Sequence, residues 1–444
     1  MINRVKNTFL QNIRFIKHLG SSYAVMFANY GTLFFLTPFL IHKLGTENYG
    51  IWLLVSNIIN YFNLTNLGFN TSFTVEFPKV KEKKEELDKL FNTVFFTLIY
   101  LSMVAIVVFI GLYLNFDIFK ISRTNLDTAK NTFLIVFLIF TLNLITTLFD
   151  SILFITNNIN TKNIFDVVRV LLIGISTFLI VKFGYSIVEI AFGNLLITLV
   201  YQFFVFKAAK KVANFSVDPS KFDRQILKKM FSSSWHYFII GLGNQVVFFS
   251  DNILISILKG VSYVSMYATM YRLTDVSLKL ISKIVDTKYP KIVQLNSENR
   301  FVDLLKLHNK LLKITFIVSF PVFVILFFWG VDLIKLWIGD QYFLDDRILK
   351  IFAVFLMMYT CLHVTGLFIV GMGIHRRVSY MVSIEAILNL TLSYLFFLRW
   401  DLIGIALGTF IAHLLTLAWF VYYEFYTNIY RKIKYESEII LGTK

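Results

Sequence analysis

The chain alternates between long apolar stretches and short polar connectors. About twelve of the stretches approach the ~20 residues that a helix needs to cross the hydrocarbon of a bilayer. They fall at about 20–41, 49–74, 91–114, 131–157, 164–183, 186–207, 231–258, 263–285, 311–335, 349–371, 378–399 and 402–427. No water reaches the backbone inside a bilayer, so each span must satisfy its own N–H and C=O groups, and a helix does so. The pattern predicts an all-α integral membrane protein with about twelve transmembrane helices.

Composition removes the soluble alternative. Of the 444 residues 57% are hydrophobic and only 16% are charged, against about 25% in a soluble domain. The net charge is +16, an excess that in a soluble protein points to nucleic acid. Here the cations gather in alternate connectors: Lys79, Lys81, Lys83, Lys84 and Lys89, then Lys210, Lys211, Lys221 and Arg224, then Lys288, Lys291 and Arg300, then Arg376 and Arg377, then Arg431 and Lys432. The connectors between them hold few, chiefly Lys43, Lys182, Lys259 and the group Lys120, Arg123 and Lys130. Positive loops stay in the cytoplasm. The expectation is a multi-pass protein of the bacterial cytoplasmic (inner) membrane, with both termini inside and no nucleic-acid partner.

No connector is long enough to hold a nucleotide-binding domain, and no Walker-type loop, H-E-x-x-H or G-x-S-x-G motif occurs. The single cysteine, Cys361, excludes an intrachain disulfide and a cysteine metal cluster. An enzyme is not expected, nor a cofactor or a bound metal. Uphill work would draw on an H+ or Na+ gradient, or on the gradient of the substrate itself.

The chain also carries a weak internal repeat. Gly45, Gly50 and Trp52, between spans 1 and 2, recur 215 positions later as Gly260, Ser265 and Tyr267, between spans 7 and 8. Six spans separate the two junctions, so both halves enter the membrane in the same sense. That is a parallel repeat, of the kind secondary transporters build around a central cavity. It divides the chain into an N-terminal lobe at 1–210, a cytoplasmic linker at 211–230, and a C-terminal lobe at 231–444 that ends in a short basic tail.

Charges inside a span are expensive and mark cavities or ion paths. Span 8 carries Arg272, Asp275, Lys279, Lys283 and Asp286 at spacings of three and four. The repeat offset carries Arg272 onto Asn57 and Asp275 onto Asn60, in a span with an asparagine stripe that continues through Asn63, Asn66 and Asn70. Arg272, Asp275, Lys279, Asn57 and Asn60 are therefore candidate walls of a substrate cavity. The alternative is that Arg272 and Asp275 neutralise each other. Asp251 is either the ion-pair partner of Arg272 or a carboxylate that responds to H+ or Na+; Asp150 and Glu385 are further candidate coupling groups. Arg169 is expected to pair locally with Asp166, Glu189 to lie at the outer interface, and His363 and His413 to hydrogen-bond neighbours or relay protons.

Beyond these patterns, Leu44-Gly45-Thr46-Glu47-Asn48-Tyr49-Gly50-Ile51-Trp52 with Leu67-Gly68-Phe69 resembles the N-terminal signature of the polysaccharide transporters of the MOP superfamily. Ser250-Asp251-Asn252-Ile253-Leu254-Ile255, then Tyr267-Ala268, Tyr271-Arg272-Leu273 and Leu336-Trp337-Ile338-Gly339, resemble further motifs of that family. The nearest members are the Wzx-type flippases of O-antigen and capsule synthesis. The resemblance implies a MATE-like V of two six-helix lobes that alternates between inward- and outward-open states. It implies an undecaprenyl-diphosphate-linked oligosaccharide as substrate, with Arg272 suited to the diphosphate and the asparagines to sugar hydroxyls. Membrane lipids, a polysaccharide polymerase and chain-length proteins would be its neighbours. Two other functions stay open: a cation-coupled multidrug efflux antiporter of the same superfamily, and a membrane enzyme such as a polymerase, which would ordinarily need a large periplasmic loop.

Overall fold

The computed structural model describes residues 2–156, 158–374 and 376–442, and among them there are helices and no strand. The helices are α1 (Ile2–Phe62), α2 (Phe69–Val80), α3 (Lys84–Leu114), α4 (Leu126–Ile155), α5 (Ile159–Lys182), α6 (Ile187–Val212), α7 (Arg224–Leu258), α8 (Val261–Asp286), α9 (Tyr289–Ser297), α10 (Phe301–Ile338), α11 (Asp346–Gly371), α12 (Arg376–Leu415) and α13 (Leu417–Gly442). Eight helical segments among the described residues are long and apolar enough to cross a membrane, and the protein is an all-α integral membrane protein. Two of the eight, 20–66 and 376–434, are far longer than one crossing requires. α1 breaks at Gly45 (φ 79°, ψ 166°) and α12 at Asp401 (φ 53°, ψ −138°), so each holds two spans. With α7 and with α8, whose charges keep it out of the apolar set, the layout comes to about twelve crossings.

One span differs from its reading in the sequence. The stretch 49–74 is not a continuous helix: α1 ends at Phe62, a short 3-10 turn covers Asn63–Asn66, and Leu67 and Gly68 take positive φ (47° and 78°) before α2 begins. Asn66 fixes the break, because its side-chain oxygen accepts the Gly68 N–H at 2.8 Å. The asparagine stripe is cut there, and Asn63, Asn66 and Asn70 do not extend the face that carries Asn57 and Asn60.

By backbone contacts the chain forms two units, Met1–Phe238 with Ser256–Ser265, and Ile239–Ile255 with Met266–Lys444. In the first, α4 touches α1, α2, α3, α5 and α6. Its buried residues Phe133, Phe137, Phe140, Leu144 and Leu148 recur every three to four positions and make one face. Phe109 stacks on Phe137 at 4.2 Å between centroids, and Phe62 packs edge-on against it at 5.2 Å. Lipid is as apolar as these rings, so the helices are held by close packing and interhelical polar contacts rather than by escape from water.

The segment after α6 is pinned to α3. Buried Asp88 accepts from Ser216 N and Ser216 Oγ (2.8 Å each) and pairs with Lys221 (2.6 Å) and Lys84 (3.2 Å). One turn on, Asn92 accepts from Asp218 N and donates to Ser216 O, and Thr93 Oγ accepts from Asp223 N. A stretch rich in charge, read from sequence as a linker, is thus clamped by Asp88, Asn92 and Thr93 of α3.

In the second unit α10 packs along α11, and the two arms of α12 lie against each other. Gly404 and Gly408 allow that approach. A Cβ on Gly404 would lie 2.1 Å from Phe396 O, and one on Gly408 would lie 2.4 Å from Ser393 N. Small residues at a helix crossing serve this purpose in membranes.

Candidate functional site

The arms of α12 run antiparallel, so residues four apart on one arm meet residues four apart on the other, about one turn per step. Three polar contacts follow in register. Ser393 Oγ donates to Ile405 O (3.3 Å), Asn389 Nδ2 donates to Thr409 Oγ1 (2.9 Å), and His413 Nδ1 bonds Glu385 Oε1 (2.5 Å). α7 joins this ladder at its middle rung. Ser250 Oγ donates to Asn389 Oδ1 (3.2 Å), and Thr409 Oγ1 lies 3.0 and 3.1 Å from the two carboxylate oxygens of Asp251. Tyr267 on α8 donates its phenol to Asp251 Oδ2 at 3.1 Å. Asp251, Asn389, Glu385 and His413 are all buried.

Asp251 opens on a cavity of about 30 Å³, lined also by Asn252, Tyr267, Tyr271, Phe352 and Thr409. That is room for one or two waters, or for a small cation stripped of most of its shell. The side-chain oxygen of Asn252 is buried with no hydrogen-bond partner among the described residues. A carboxylate, two hydroxyls and an orphaned amide oxygen make a set of oxygen atoms suited to a proton carrier or to Na+. No group of three or more His, Cys, Asp or Glu side chains that would hold a metal ion occurs among the described residues.

Arg272 is not the partner of Asp251. Its guanidinium makes no ion pair among the described residues, and its Nε is buried without a hydrogen-bond partner. Asp275, three residues on, does not take it up either. Both are half-buried, while Lys279 is exposed. At the far end of α8, Asp286 bonds His363 Nε2 of α11 at 2.8 Å.

In the first unit Asn57 is buried and Asn60 half-buried, both on the second arm of α1. Asp150 belongs to a separate cluster, in which the Tyr201 phenol lies 3.0 Å from Asp150 and 2.7 Å from Asp166. A phenol has one proton to give, so only one of the two carboxylates accepts from it. Asp166 pairs with Lys162 at 2.6 Å rather than with Arg169, whose guanidinium instead covers the Tyr201 ring at 4.8 Å. Lys162 lies four residues from Asp166, one turn along the same face, and the aromatic ring of α6 offers Arg169 the better seat. Glu189 completes a capping box with Ser186 at the start of α6.

Sequence reasoning singled out Asp251, Glu385 and His413, but not the hydrogen-bond partners of Asp251. Thr409, Asn389 and Tyr201 are ordinary members of apolar stretches. Only Tyr267 carried a mark, as the repeat counterpart of Trp52.

A family model described as "Polysaccharide biosynthesis protein" matches residues 15–296. A protein of Yersinia pseudotuberculosis, named as a proposed O-antigen export protein, is 20% identical over 421 residues, covering 90% of this chain and 93% of that one. Among solved structures, a multidrug resistance MATE family transporter of the MOP superfamily in its inward-facing conformation aligns with a TM-score of 0.70 at 14% identity, over 95% of this chain and 96% of that one. A MOP superfamily transporter from Pyrococcus furiosus, described as having a binding pocket of reversed polarity, aligns with a TM-score of 0.68 at 15% identity over 94% and 96%. At such identities the structural likeness concerns the fold, which is that of the MOP transporters.

Proposed function

The chain belongs to the family of polysaccharide biosynthesis proteins, and on that premise we propose that this membrane transporter is a flippase for an undecaprenyl-diphosphate-linked oligosaccharide. The substrate is an O-antigen or capsule repeat unit, moved from the cytoplasmic to the periplasmic leaflet of the bacterial inner membrane by alternating access. Both termini are cytoplasmic in this reading. A polymerase and chain-length proteins receive the flipped unit.

The observation that carries the proposal is Arg272. A guanidinium half-buried in a membrane span, with its Nε unsatisfied and no carboxylate paired to it among the described residues, is a costly arrangement unless an anion arrives to fill it. The planar fork of arginine matches phosphate oxygens. Asp275 on the same helix and Asp251 on α7 keep the surroundings from becoming strongly cationic, which suits a ligand that must also be released. Asn57 and Asn60 supply amides for sugar hydroxyls in the same reading.

Coupling is assigned to H+ or Na+ at the Asp251 cavity, where Thr409, Tyr267 and the unpartnered Asn252 oxygen surround a small space. A multidrug antiporter has the same fold, but an unpaired arginine would repel the organic cations that such a protein expels.

The test is a deletion strain assayed for surface polysaccharide and for cytoplasmic lipid-linked oligosaccharide. Loss of surface glycan with accumulation of the complete lipid-linked unit, reversed by a plasmid copy, is the expected result. Unchanged glycan together with altered sensitivity to cationic drugs overturns the flippase reading in favour of efflux.

A further inference from the structure

We propose that Glu385 and His413 form a proton-binding pair inside the second unit, loaded through Tyr359, His363 and Asp286. The inference deepens the transporter reading by naming the proton as one coupling ion and giving it a site apart from the Asp251 cavity.

The pair is unusual for what it lacks. Both side chains are 1% exposed. Glu385 Oε1 and His413 Nδ1 satisfy each other, but Glu385 Oε2 and His413 Nε2 are both buried with no hydrogen-bond partner among the described residues. With one proton between the bonded atoms, Nδ1–H donates to a carboxylate and the pair carries one negative charge. A buried charge of that kind, with no cation paired to it among the described residues, is strongly disfavoured. One further proton removes the charge, and the orphaned atoms are where it binds. It makes either a carboxylic acid O–H at Oε2 or an imidazolium N–H at Nε2. The geometry thus supplies both a reason to take up a proton and two atoms to hold it.

The proposed route to the pair runs along α11. The ring of Tyr359 on α11 lies 5.6 Å from that of His413. His363 is one helical turn beyond Tyr359 on the same face of α11, and it bonds Asp286 at 2.8 Å. Asp286 and His363 are partly exposed, at 39% and 27% of their side chains, and Asp286 is the last residue of α8. The other ionisable neighbours are accounted for. Asp251 on α7 is reached through Thr409 and Asn389 one rung along the ladder, and Glu424 on α13 faces Arg377 at 3.6 Å. A pair serving only to tie the arms of α12 together would need neither the second histidine–carboxylate pair nor the tyrosine between them.

The experiment is infrared difference spectroscopy on the purified full-length protein between about pH 5 and about pH 9, a range that spans histidine titration, in H2O and in D2O. The wild type should gain a protonated-carboxyl C=O signal on acidification, and E385Q should lose it. H413Q should move its midpoint by one pH unit or more. H363Q should leave the midpoint in place but slow the rise after a pH jump at least tenfold. A signal unchanged by E385Q, or a Glu385 signal that does not respond to pH, overturns the proposal. Should E385Q fail to fold, H413Q decides, since an unmoved midpoint is equally fatal. The readout needs no glycan substrate, so it stands or falls separately from the deletion-strain result.

Discussion

Gly45 and Gly260, 215 positions apart in the chain, both take positive φ, 79° and 102°, at the two helix junctions related by the internal repeat. The backbone therefore takes a positive φ at both places where the sequence repeats a glycine. The two junctions also meet within one unit. Gly50, five residues past the first glycine, packs so closely on Val261, next to the second, that a Cβ would lie 1.9 Å from Val261 O. Alanine at Gly45 meets no atom within 4 Å and should cost about 1–3 kcal/mol through backbone strain alone. Alanine at Gly50 should be worse, because helix backbone has to move. Thermal midpoints of the purified variants check the order, Gly50→Ala falling below Gly45→Ala.

Asp88→Ala should destabilise the protein by on the order of 3 kcal/mol, because it leaves Lys221 unpaired and two Ser216 donors unmet while emptying a buried site. Protease nicking between 213 and 223 should rise in that variant well before global unfolding. Equal protection of the segment in both proteins would mean that the clamp is redundant.

Arg272→Ala should cut glycan export at least tenfold while the protein still reaches the membrane in normal amount. Arg272→Lys should recover only part of it, since an ammonium keeps the charge but not the two-pronged geometry. Surface glycan per membrane-inserted protein is the quantity to compare. Equal export by all three would make Arg272 structural.

If the cavity beside Asp251 takes sodium, the thermal midpoint in detergent should rise when N-methylglucamine is exchanged for Na+. The gain grows with concentration and is worth about 1.4 kcal/mol at ten times the dissociation constant. Asp251→Asn should abolish the rise. Thr409→Val should reduce it and lower stability by about 1 kcal/mol, the scale of one interhelical hydrogen bond in a membrane. A wild-type midpoint indifferent to Na+ leaves the proton as the coupling ion.

Part of the site was legible in the amino-acid sequence. Asp251, Arg272 and Glu385 stood out because an ionisable residue in an apolar run has few explanations. His413, the partner of Glu385, stood out for the same reason, but Thr409 and Tyr267 beside Asp251 did not, since a threonine or tyrosine in such a run fits lipid, core or site equally well. The expected Arg169–Asp166 pair failed for a similar reason. Spacing along one helix ranks local partners, but it is blind to the Tyr201 ring that α6 brings alongside. The asparagine stripe failed differently, because α1 ends at Phe62 and Asn66 spends its side chain on the Gly68 N–H in the turn before α2.

The solvent and the class of fold follow from the order of residues alone. Runs of about twenty apolar residues leave no alternative to membrane helices. The glycine spacing marked both junctions, because a positive φ is a demand on one residue at a time. Pairing was left to the tertiary structure. Glu385 and His413 are 28 positions apart, and Asp251 and Thr409 are 158 apart. Periodicity says which face of a helix is polar, but not which other face meets it. That depends on how close two backbones can come. In α12 it was settled by Gly404 and Gly408, which have no side chain to hold the arms apart.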